Sequence, residues 1–123
     1  NSEVEVVTDR DFLRIILINL LENSLKYSPE KSEIDVTLSL NDRENGKYAC
    51  ITVSNLTKGD RAPDSTKIFE RYYRDQYDLN TSGSGLGLYL VKELCKILKG
   101  SINFEFEMKR ARFHVALPMT IRE

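Results

Sequence analysis

Apolar residues recur along this chain with two distinct periods. From Arg10 to Tyr27 they fall at 12, 13, 16, 17, 20, 21 and 25, with Ile15 and Ile18 besides. That spacing predicts a helix with a wide buried face, which Thr8 or Asp9 is placed to cap and Ser28-Pro29-Glu30-Lys31-Ser32 to end. Ile34 to Leu40 alternates strictly, as a half-buried strand does. Asn41 to Gly46 reads as a hairpin turn, and Tyr48 to Ser54 as the returning strand. Glu3 to Thr8 alternates enough for a further, edge strand. A second helical pattern has apolar residues at 90, 91, 94, 97 and 98. Gly100 follows it, where a left-handed C-terminal cap belongs. Ser101–Met108 and Ala111–Leu117 read as two more strands turning at Lys109-Arg110, and Pro118 ends the last. Two main helices and about five strands, with the helices set apart from antiparallel hairpins, predict an α+β two-layer sandwich. Its helices cover one face of a mixed, mostly antiparallel sheet.

Residues 56–84 break the pattern. They are polar, with one short helical candidate around Ile68-Phe69. A stretch this long without regular structure usually carries function, so a mobile lid is expected there. It leads into Gly83-Ser84-Gly85-Leu86-Gly87-Leu88. Glycines at a helix start leave backbone N–H groups bare, and the helix dipole adds partial positive charge. The run reads as a phosphate-binding loop opening a helix, or as a plain glycine-rich connection.

Within the first helix, Asn19 and Asn23 are four residues apart, hence about 40° apart around the axis. Lys26 returns to the same face. Two amides and an ammonium thus form one polar stripe, either solvated or built for phosphate and a cation. Glu22 lies about 60° off that stripe.

Three segments together resemble a known family. Asn19-Leu20-Leu21-Glu22-Asn23-Ser24-Leu25-Lys26-Tyr27-Ser28-Pro29 resembles the N box of the histidine-kinase ATP-binding domain, in the GHKL superfamily. Ile68 to Arg74 is similar to its F box, and Gly83 to Leu88 to its second glycine box, in the same order. The resemblance spans nearly the whole chain and implies a Bergerat-type fold. It also implies that Asn23 coordinates Mg²⁺ and that Lys26 meets ATP phosphates. Tyr27 packs on the nucleotide, under the lid or in the core. Arg71 and Arg74 reach the γ-phosphate or remain surface cations. Ile68, Phe69, Tyr72 and Tyr73 pack into the domain or dock the partner helix. ATP-hydrolysing members carry Glu at the Asn19 position. Asn has no useful basicity, so the chain is expected to hold ATP for a separate nucleophile, the His of a partner helical domain.

The first glycine box departs from the family pattern. Asn55 takes the place of its Asp, which accepts from the adenine amino group, and Thr57 that of its first glycine; Gly59 fits the second. An amide both accepts and donates, so Asn55 is expected to turn either way and soften the choice between adenine and guanine. Thr57 is expected to crowd the base or stiffen the loop.

Composition narrows this further. The chain has 123 residues, 41% hydrophobic and 30% charged, with net charge −1. That is one domain, with no global field for nucleic acid or an anionic membrane. No apolar run approaches the ~20 residues of a membrane span. Without a starting Met or signal peptide, Asn1 is expected to open a fragment of a larger kinase, cytoplasmic in location, whose parent has room for an anchor. Cys50 and Cys95 read as buried reduced thiols. His114, the single histidine, reads as strand-exposed and non-catalytic.

The expectation is thus residues 1–123 as the catalytic domain of a bacterial sensor histidine kinase, with ATP and Mg²⁺ as cofactors. Its partners are the His-bearing dimerisation domain and, indirectly, a response regulator, without nucleic acid or direct membrane contact. The rival is a degenerate, nucleotide-weak domain kept as an interaction module, favoured by Asn55 and Thr57. A gyrase- or chaperone-type ATPase is disfavoured by Asn19.

Overall fold

A computed structural model of the chain describes residues 8–44, 46–59, 63, 67–71 and 87–118. Two helices and four strands follow in the order α1 (Arg10–Tyr27), β1 (Ile34–Arg43), β2 (Gly46–Leu56), α2 (Gly87–Ile97), β3 (Ser101–Glu107) and β4 (Arg110–Pro118). The strand expected at Glu3–Thr8 falls almost wholly outside the described residues.

Asp9 caps α1: its side chain accepts from the Phe12 N–H at 3.0 Å. At the other end Ser28 is extended, as a residue before proline must be, and its N–H donates to the Ser24 carbonyl at 3.0 Å.

The four strands form one sheet in the order β1-β2-β4-β3, every pairing antiparallel. Arg43 pairs with Gly46, so the first hairpin turn is only two residues long. Asn41, Asp42 and Arg43, expected in the turn, extend β1 instead. Lys47 reaches Asp42 (3.7 Å) and the Arg43 guanidinium lies 4.5 Å from the Tyr48 ring centroid, both across the ladder. The β3–β4 turn is Met108-Lys109, one residue earlier than expected, with φ of 52° and 63°. Positive φ at both central positions matches the right-handed twist of the flanking strands.

Alternation decides the faces. Ile51, Val53 and Asn55 of β2, and Ala111, Phe113, Val115 and Leu117 of β4, point toward the helices and are buried. They meet Ile16 and Leu20 of α1 and Val91, Leu94 and Cys95 of α2. Burial pushes the Cys95 thiol up to about 11, so it stays protonated and inert near neutrality. Cys50 is half-buried and accepts from the Asn41 amide (3.1 Å). The opposite sheet face is polar. There His114 is half-buried rather than exposed, its Nδ1 2.9 Å from the Thr52 hydroxyl and its Nε2 against the Glu105 carboxylate.

The end of α2 also differs from expectation. Lys99, not Gly100, takes the left-handed position (φ 62°). Its N–H bonds the Lys96 carbonyl at 3.0 Å, and the Gly100 N–H bonds the Cys95 carbonyl at 2.7 Å. This is the paired closure of a Schellman motif. Gly100 is required for a different reason: a Cβ there would overlap the Ala116 carbonyl oxygen on β4.

Candidate nucleotide-binding site

Asn19, on the polar stripe of α1, meets the start of α2. Asn19 turns its amide back along the helix, Nδ2 donating to the Ile15 carbonyl at 2.8 Å. Its Oδ1 then abuts Gly87: a Cβ at Gly87 would stand 3.0 Å from that oxygen. The N box and the last glycine of the second glycine box are therefore in contact through one side chain.

Asn23 is half-buried, and among the described residues its amide makes no hydrogen bond. Lys26 is half-buried in the last turn, with Nζ 5.3 Å from the Tyr27 ring centroid. The Tyr27 carbonyl accepts from the Lys58 N–H at 3.3 Å, which ties the end of α1 to the chain just past β2. Gly87 opens α2, and Leu88 packs against the core, so any part Leu88 takes in binding is through its backbone. Gly83, Ser84, Gly85, Leu86 and Arg74 lie outside the described residues, as does most of the expected lid.

Two described pieces of that stretch are anchored. Thr57 donates its N–H to the Lys109 carbonyl at 2.8 Å, and its hydroxyl lies 2.5 Å from the Gly59 carbonyl and 3.2 Å from that of Lys109. The threonine thus stiffens the turn, the second of the two expected effects. Gly59 has open space around it, so sterics alone do not require glycine there. Ile68 is buried, and Phe69 meets Phe113 edge-on, 6.2 Å between centroids at 76°. These two pack into the domain, which settles their expected alternative. Arg71 donates to the Tyr89 hydroxyl (2.9 Å), its guanidinium 4.9 Å from that ring's centroid. It is held at the first turn of α2.

Asn55 is 1% exposed. Its Nδ2 donates to the Leu56 carbonyl at 2.8 Å, so the amide does not turn freely, contrary to expectation. Sequence reasoning passed over Ser24, which is wholly buried with its hydroxyl unpaired. The signal available was spacing: Ile16, Leu20 and Ser24, four apart, share one buried stripe. Tyr89 was also passed over.

The candidate site comprises two buried polar side chains, a half-buried amide and ammonium, and the N-terminal end of a helix. These suit a purine, a metal and phosphates respectively, so the residues present fit a magnesium nucleotide. A family model described as histidine kinase-, DNA gyrase B-, and HSP90-like ATPase matches residues 8–121, and the chain belongs to that family. Its curated relatives are sensor histidine kinases. The chain is 32% identical over 114 residues to sensor histidine kinase HprS of Escherichia coli, covering 93% of this chain and 24% of that protein. It is 32% identical over 104 residues to WalK of Bacillus subtilis, covering 83% of this chain and 17% of that one. Among solved structures, full-length ShkA in complex with AMPPNP aligns at TM-score 0.74 and 27% identity, over 98% of this chain and 24% of that one. The mycobacterial sensor kinase MprB shares the fold at TM-score 0.79 and 24% identity, over 97% of this chain and 80% of that one. No helix among the described residues is long and apolar enough to cross a membrane.

Proposed function

We propose that residues 1–123 are the catalytic domain of a sensor histidine kinase, which holds Mg-ATP between α1 and the start of α2. The observation that carries this is the Asn19–Gly87 contact, which supports a site between the polar stripe of α1 and the first residue of α2. Asn23 Oδ1 would be the protein ligand of Mg²⁺. Lys26, the backbone of Gly83 to Leu88, and Arg71 and Arg74 would meet the phosphates. Bound Mg²⁺ would supply positive charge against the phosphate oxygens. Asn19, an amide bound back to its own helix, offers no base to activate water, and the domain keeps the γ-phosphoryl group for a histidine. That histidine belongs to a partner helical domain of the parent kinase, working in the cytoplasm upstream of a response regulator. The changes at Asn55 and Thr57 that favoured an interaction module are each absorbed by local hydrogen bonds, which supports the nucleotide reading.

His114 lies on the sheet face turned away from both helices. Incubated with γ-labelled ATP, the chain alone is expected to acquire no stable phosphohistidine. Adding a His-bearing helical domain should give label on that domain. Label on His114 would overturn the assignment.

A further inference from the structure

A short path brings Arg71 to the start of α2. The Glu70 N–H bonds the Lys67 carbonyl at 2.8 Å, closing a tight turn. The two central residues of that turn are pinned in the core, Ile68 buried and Phe69 edge-on to Phe113. Arg71, two residues past Phe69, emerges exposed. Its guanidinium meets one aromatic side chain in two ways. Nη2 donates to the Tyr89 hydroxyl at 2.9 Å, and the guanidinium carbon lies 4.9 Å from the ring centroid.

Tyr89 is the third residue of α2 and is half-buried. Side chains on a helix lean toward its N-terminus. The ring therefore leans over the turn that begins at Gly87, the residue that Asn19 abuts. The N-terminal end of a helix carries partial positive charge and disfavours a cation, and the first turn of α2 itself holds no acid. An anion reverses the balance, because helix N–H groups and a guanidinium then share its charge. The stack and the hydroxyl keep Arg71 at a position that helix electrostatics favour only with an anion bound.

Resting on the nucleotide reading above, we infer that Tyr89 is a positioning residue: its ring and hydroxyl set Arg71 at the N-terminus of α2, ready for the phosphates. A freely rotating arginine loses rotamer entropy when it closes on a ligand. One already stacked on a ring and hydrogen-bonded to it has lost much of that freedom beforehand. The ring face attracts the guanidinium, and the hydroxyl fixes its direction. Tyr89 acts on the ligand through Arg71.

Calorimetry with Mg-ATP on the chain and its variants tests this as a double-mutant cycle. Tyr89→Ala is expected to weaken Mg-ATP by roughly fivefold, and Arg71→Ala by roughly tenfold. In the Arg71→Ala background, Tyr89→Ala is expected to cost nothing further. Tyr89→Phe keeps the ring and drops the hydroxyl, and is expected to fall between tyrosine and alanine. Adenosine, which has no phosphate and is read as a competitor of Mg-ATP, is expected to bind all the variants equally. A purely structural Tyr89 would weaken ATP and adenosine together, and would do so with or without Arg71. Either result overturns the inference, as does wild-type Mg-ATP affinity in Tyr89→Ala. In each of these cases Mg-ATP binding by the wild type leaves the nucleotide reading standing. Binding of neither ligand by the wild type overturns both. Should Tyr89→Ala not fold, Tyr89→Phe with and without Arg71 decides.

Discussion

Phe113→Ala is expected to lower the unfolding free energy by about 3–5 kcal/mol. Phe113 is 2% exposed and is the largest fully buried side chain among the described residues. It sits in the middle of β4, paired with Val53 on one side and Phe104 on the other. Its ring meets Phe104 at 4.9 Å and Phe69 at 6.2 Å. Truncation removes both aromatic pairs and leaves a cavity walled by strands that cannot collapse without breaking their ladders. Phe69 comes two residues before Arg71, so the same change also loosens the segment that carries Arg71 to α2. Urea denaturation should show a lower midpoint with an unchanged slope. A loss under about 1 kcal/mol would mean that the site collapses freely and that Phe113 does not organise the core.

Asn23→Ala is expected to separate binding from stability. Alanine is the better helix former by roughly half a kcal/mol, and the Asn23 amide makes no hydrogen bond among the described residues. The variant should therefore melt at or above the wild-type temperature. Mg-ATP should bind it at least roughly tenfold more weakly, about 1.4 kcal/mol, because an oxygen ligand of the metal is gone. Affinity measured without Mg²⁺ should change far less. Equal Mg-ATP affinity in wild type and variant would remove Asn23 from the site.

Period alone reached most of the fold. The spacing from Phe12 to Leu25 gave α1, the alternation from Ile34 to Leu40 gave β1, and Val91, Leu94 and Leu98 marked α2. What it missed depends on partners distant in sequence. Polar Asn41 and Asp42 look like turn residues, yet the ladder to Tyr48 and Lys47 keeps them in β1. Gly100 looks like a left-handed cap, yet its lack of a side chain serves β4, while Lys99 takes the positive φ. The pairing of β2 with β4 rather than β3 is a choice of the whole sheet, invisible in local pattern. The candidate site divides the same way. Residue type and spacing picked out Asn19, Asn23 and Lys26. The Asn19–Gly87 approach, the fixed amide of Asn55 and the unpaired hydroxyl of Ser24 are properties of three dimensions.

The central claim is that α1 and the start of α2 together hold a magnesium nucleotide. Calorimetric titration of the chain with ATP, with and without Mg²⁺, tests it most directly. The predicted result is saturable binding of one ATP per chain that weakens when Mg²⁺ is withheld and is displaced by ADP. Absence of binding up to millimolar Mg-ATP, in a chain whose thermal unfolding is cooperative, would contradict it.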